Sequence, residues 1–186
     1  ATHNGIIGET WSNDAVVDGT DRGITVRPID ATVGAGHVNV DQAHLLMSSG
    51  KQAGAASGTS GANLAGWSLE TLSPGEQRSW LFASEGVTDA FSAVITWNRT
   101  VSNSFTTYTL ANFDLELLRL TSQGVETTLI GNRGLGVFNG GNIASKSDVD
   151  NTEHLYITGL HAGRYILRAT RPAADSEGSS IDIGVA

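Results

Sequence analysis

Cysteine is absent from the 186 residues, which excludes disulfides, thiolate metal sites and cysteine-based catalysis together. Basic residues are scarce: Lys and Arg total 11 against 19 Asp and Glu, for a net charge of -8 and an isoelectric point near 4.9. Nucleic acid is excluded as a partner on that balance, because phosphate binding needs clustered cations. No run of about 18 apolar residues occurs, so no helical membrane span is expected. The opening Ala1-Thr-His-Asn-Gly lacks the charged and apolar regions of a secretory signal, and the chain reads as a mature or excised piece of something longer. Acidic, cysteine-free, glycine-rich composition of this kind points to an extracellular setting, secreted or at the cell surface.

What is present is period-2 alternation. Leu155 and Ile157 alternate with His154 and Tyr156, and Tyr165, Leu167 and Ala169 alternate with arginines, the two runs being separated by a turn bearing Gly159 and Gly163. That describes a half-buried antiparallel pair. Similar runs cover Arg78 to Ser84 (Trp80, Phe82), Phe91 to Trp97, Phe113 to Leu117, Val125 to Ile130 and Ile181 to Val185. Seven or so short strands after Trp67, with turn signals and no helical pattern, predict a mainly β fold: an antiparallel β-sandwich of jelly-roll type. Before it lies an irregular segment with one short helix over about 38–49, capped by Asn39, with Gln42 three residues on and Gly50 at the C′ position. Residues 51–66 are rich in Gly, Ala and Ser and read as a linker. The expected organisation is therefore 1–50, a 51–66 linker and a 67–186 sandwich.

Four motifs occur in order: Phe91-Ser-Ala-Val-Ile-Thr-Trp97, Leu110-Ala-Asn-Phe-Asp-Leu-Glu-Leu117, Asp150-Asn-Thr-Glu-His-Leu-Tyr-Ile157 and Ala162-Gly-Arg-Tyr-Ile-Leu-Arg168. Their order resembles the C-terminal β-sandwich that follows the catalytic domain in many bacterial subtilisin-like serine proteases, and is similar to pre-peptidase C-terminal domains. Val33-Gly-Ala-Gly-His-Val-Asn-Val-Asp-Gln-Ala43 resembles the glycine turn and last helix of a subtilase catalytic domain, and Thr10-Trp-Ser-Asn13 a loop preceding it. The resemblance implies that residues 1–50 are the tail end of such a catalytic domain. It also implies an accessory role for the sandwich, stabilising the protease or positioning protein or polysaccharide substrate, with an upstream catalytic domain as partner.

No catalytic set is legible. Gly58-Thr-Ser-Gly61 carries part of a nucleophile motif but lies in the low-complexity run without the Met-Ala that should follow. His3, His37, His44, His154 and His161 show no metal-binding spacing. Peptidase activity would belong to the missing upstream part. Acidic and amide residues crowd two strand starts: Asp148, Asp150, Asn151 and Glu153 at one, and Asn112, Asp114 and Glu116 at the other. Calcium takes six to eight oxygens of this kind, and the resemblance implies Asp114, Asp150 and Asn151 as its ligands in a structural site. The competing reading is that these residues cap turns through their own backbone. Among the aromatics, Trp80 and Trp97 alternate with apolar neighbours and read as core, while Trp67 suits either core or a glycan-binding face, as a free-standing binding or adhesion module would carry. The glycine-rich 131–142 stretch reads as a long surface loop.

Overall fold

The structure, a computed structural model, describes residues 14–32, 34 and 38–186. The 10–13 motif, most of the glycine turn at 33–37, His3 and His37 lie outside the described residues. In chain order the elements are β1 (Ile24–Thr25), α1 (Val40–Ser49), β2 (Ser60–Gly61), β3 (Ser68–Leu72), β4 (Gln77–Ser84), β5 (Thr88–Trp97), β6 (Thr100–Val101), β7 (Tyr108–Thr109), β8 (Asp114–Leu120) and β9 (Glu126–Thr128). A 3-10 turn (Gly131–Gly134) follows, then β10 (Gly140–Asn142), β11 (Ala144–Ser145), β12 (Thr152–Leu160), β13 (Gly163–Thr170) and β14 (Ile181–Val185).

Two sheets pack face to face. One runs β10-β12-β5-β14-β3; the other runs β1-β11-β8-β13-β4-β2, with β9 also on β8. The antiparallel pairs nest: β3 with β14, β4 with β13, β5 with β12 and β8 with β11. Successive partners in this series belong to alternate sheets, so the chain crosses the sandwich at nearly every connection. That nesting is the jelly roll expected from the sequence.

Alternation set the buried face as predicted. Leu155, Ile157, Tyr165 and Ala169 are fully buried, with Trp80, Phe82, Ile95, Trp97, Leu115, Leu117 and Ile183 in the same core. Each such side chain contributes about 1.5–3 kcal/mol through the apolar surface it removes from water. Buried polar tips find partners: Trp97 Nε1 donates to Ala111 O at 2.9 Å, and Tyr165 OH to His161 O at 2.7 Å. The predicted helix is α1, and Asn39 caps it by accepting from Gln42 N at 2.9 Å. None of its residues is buried.

Two stretches read as irregular are structural. The 51–66 segment is stitched along the sandwich: Gln52 N donates to Trp67 O, Ala55 N and Ser79 N exchange bonds with each other's carbonyls, and Ser60–Gly61 pairs in parallel with β4. Small side chains let this backbone lie against Trp80; a Cβ on Gly54 would come within 2.7 Å of that ring. Ile24–Thr25 likewise extends the opposite edge by pairing with β11. In the 131–142 stretch, Val137 and Phe138 enter the core and residues 140–142 form a strand, so it is not the surface loop expected. Its glycines hid two core side chains.

Candidate binding sites

Strand register brings the acidic residues to one end of the sandwich. Asp114 opens β8, while Asp148, Asp150 and Asn151 precede β12. Asp150 Oδ2 accepts from Ser147 Oγ at 2.8 Å, and Ser147 Oγ in turn accepts from the backbone of Val149 and Asp150. Asn151 Nδ2 donates to Trp97 O at 2.8 Å, and its carbonyl accepts from Trp97 N. Burial raises the Asp114 carboxyl above its ordinary range, and the nearby Asp148 and Glu116 raise it further against the opposing pull of Lys146. These bonds are those of turn caps, and a cation beside Asp114 disfavours a second one. Among the described residues, no three His, Asp or Glu side chains form a group able to hold a metal ion.

The residue that dominates this end is Glu153, fully buried at the start of β12. Its Oε1 accepts from Ser147 N at 2.7 Å and its Oε2 from the Ser145 hydroxyl. Burial pushes the carboxyl up to about 8, outweighing the two hydrogen bonds, and Asp114 and Asp150 push the same way. A neutral Glu153 locks the turn before β12 onto β11. Its inward position was legible from alternation with Leu155 and Ile157; its protonation depends on the neighbours the fold supplies.

A second feature is a narrow cleft between the sheets with a cavity volume of about 80 Å³. Trp80 and Phe82 line it from one sheet, Phe91 and Val185 from the other, and Leu64 and Trp67 from the stitched segment above. Phe82 and Phe91 stack at 5.1 Å. Trp80 Nε1 is committed to Gln52 O at 2.8 Å, and the Gln52 amide is committed to Ala65 O and Asn63 N. Trp67 Nε1 is buried with no partner. Its apolar, aromatic lining and one buried unpartnered donor give it the chemistry of a small apolar subsite, well below the ~300 Å³ of a drug-sized pocket. Trp80 and Trp97 are core, and Tyr108 is exposed on the β6–β7 hairpin with Arg99 over its ring.

One contact escaped sequence reasoning. Ser92 Oγ and His154 Nε2 lie 2.9 Å apart, joined only because β5 pairs with β12 across 62 residues of chain. Nucleophile and base share a hydrogen bond in many hydrolases. Here the pair is exposed on the sheet, where water screens the charges an acyl transfer develops. Ser60, in the motif set aside above, donates to Ala53 O at 2.6 Å and Ser79 O at 3.2 Å, a backbone-bridging role. Compared with known proteins, the chain matches no family model, and no curated protein shows significant similarity to it.

Proposed function

We propose that the chain acts by binding rather than by catalysis, as an accessory β-sandwich module. The observation that carries this reading is the cleft between the sheets, apolar and aromatic, with Trp67 Nε1 as a buried donor that has no partner among the described residues. A small apolar ligand, or an apolar side chain of a protein substrate, that presents one acceptor matches it. The sequence resemblance supplies the host: a secreted subtilisin-like serine protease whose folding, stability or substrate placement the module serves. The exposed apolar side chains of α1, Val40 and Met47, support a neighbour on the N-terminal side. A free-standing module for polysaccharide or insoluble protein is the second reading, favoured by exposed Phe105 and Tyr108 on the β6–β7 hairpin.

Three measurements separate these. Titration with tryptophan-excited hydrophobic probes should show saturable binding that Trp67→Phe weakens, since that change removes the donor and keeps an aromatic ring. Absence of binding would end the cleft reading. A fluorophosphonate that labels Ser92, with labelling lost in His154→Ala, would replace binding by hydrolysis. The reading frame ahead of Ala1 decides the host: a Gly-Thr-Ser-Met-Ala motif supports the protease, and a signal peptide directly before Ala1 removes it. Calcium at Asp114, Asp150 and Asn151 belongs to the same proposal. A higher melting temperature in calcium than in chelator supports it; equal values leave the three residues as turn caps.

A further inference from the structure

Strand β5 is paired unequally on its two sides. β12 pairs with it over residues 88–96, whereas β14 runs antiparallel beside it only over residues 95–97. The last contact on the β14 side joins Val94 and Ala186, whose backbones exchange both hydrogen bonds, at 2.7 and 2.9 Å. Backbone groups along an antiparallel strand point alternately to its two neighbours. Trp97 N donates to Asn151 O towards β12, so odd-numbered residues serve β12 and even-numbered ones the β14 side. The N–H and C=O of Ser92 and Ala90 therefore face the line along which β14 would continue. Among the described residues, no backbone bond or strand pairing reaches them from that side.

This open edge coincides with the aromatic cleft. Phe91 and Ala93 line the cleft from β5, Ala186 from the end of β14, and Trp67 from the lead into β3, over Trp80 and Phe82 of the other sheet. Phe91 faces inward by alternation with Ala93 and Ile95, yet it stays half-buried where those two are buried. A strand lying beside residues 90–93 would cover it. Natural sheets commonly protect an open edge with Lys or Pro. Residues 90–93, Ala-Phe-Ser-Ala, include neither.

We propose that an extended peptide of a partner protein adds to the sheet here, as a short strand continuing the line of β14. This rests on the reading of the cleft as a binding site. The unpaired edge supplies affinity through main-chain bonds, and the cleft beside it supplies specificity through alternate side chains. The peptide runs antiparallel to β5. One of its residues exchanges both backbone bonds with Ser92 and points outward with it. The two residues flanking that one lie opposite Ala93 and Phe91 and point into the cleft. The motif selected is apolar, any residue, apolar, and the small volume of the cleft favours aliphatic side chains. Trp67 Nε1, with no partner among the described residues, is available to a carbonyl of the peptide.

The test is titration of the full chain with a capped heptapeptide carrying valine at its third and fifth positions and threonine elsewhere. Saturable binding is expected in amide chemical shifts, with slowed hydrogen exchange at the Ala90 and Ser92 amides. Methylating the backbone nitrogen of the peptide's central residue removes its bond to Ser92 and keeps every side chain. Affinity should then fall about tenfold, the scale of a backbone bond lost with its partner left unpaired. Ser92→Pro removes the facing N–H from the protein and should weaken binding similarly, with a melting curve to check its folding. Equal affinity of the methylated peptide, or a peptide that fails where hydrophobic probes bind, would overturn strand addition and leave the cleft reading standing. Binding of neither peptide nor probes would remove both. Dimerisation that protects the same two amides without peptide would assign the edge to a second copy and overturn the proposal.

Discussion

Glu153 shows how a single carboxyl makes the fold sensitive to pH. Its carboxyl stands near 8 when folded and in the ordinary glutamate range when unfolded, so between those values the folded chain holds one more proton. Stability from this group is complete below the ordinary glutamate value and is lost as pH rises towards 8. The slope is about 1.4 kcal/mol per pH unit for one proton, so the total is several kcal/mol. Glu153→Gln, which keeps the shape and stays neutral, should flatten urea-denaturation midpoints between pH 5 and 8 (a range set by ordinary glutamate titration) and be more stable than the parent at the upper end. An unchanged slope would show that Glu153 ionises freely.

Arg171 acts at the same scale. It is fully buried and its Nε donates to Asp175 at 2.6 Å. Its other nitrogens donate to Leu72 O, Ser179 O and the Glu177 carbonyl, and Phe113 lies against its guanidinium. One cation thereby fastens the β13–β14 connection to the end of β3. Removing its carboxylate leaves a buried unpaired charge, so Asp175→Ala should cost about 3–5 kcal/mol, read from chemical denaturation. Equal stability would mean that water replaces the carboxylate.

Among the elements, β10 depends on a glycine. Gly141 has φ +88, and a Cβ there would lie 1.8 Å from Tyr156 O, inside the β10–β12 ladder. Gly141→Ala should cost 2 kcal/mol or more from strain and lost pairing, on the order expected for a forced left-handed residue plus a backbone clash. Loss of amide protection should begin at residues 140–142 and 156–158, and a silent substitution would contradict the pairing. Helix α1 behaves oppositely. Because none of its residues is fully buried, Asn39→Ala should lower helix content, costing the helix about 1 kcal/mol, while the sandwich melts at its usual temperature. Circular dichroism and tryptophan fluorescence, followed together, would separate the two.

For the whole molecule, nesting determines how it folds. β3 and β14 pair Leu72 with Ile181, and every inner pair must form across a long intervening chain. Loop closure precedes the contacts that reward it, so folding should take milliseconds to seconds rather than microseconds. Stopped-flow refolding monitored by the buried Trp80 and Trp97 would measure it. A microsecond phase with full amplitude would mean that local structure dominates.

The alternation of apolar residues, the Asn39 cap and the glycines around 159–163 determined the strands, the helix and the sandwich class, because each signal is local and acts within a few residues. Asp114, Asp150 and Asn151 were also visible, as strand-start carboxylates and an amide. Their partners Lys146 and Trp97 were not, since these arrive through sheet register, whereas Ser147 caps Asp150 from only three residues away. Tertiary structure alone decided that small residues at 51–66 would lie on Trp80, that Val137 and Phe138 would fill the core, and that Ser92 would meet His154. Each of these depends on which strand lies beside which. That choice is made by global packing of two sheets, for which no short stretch of sequence holds the information.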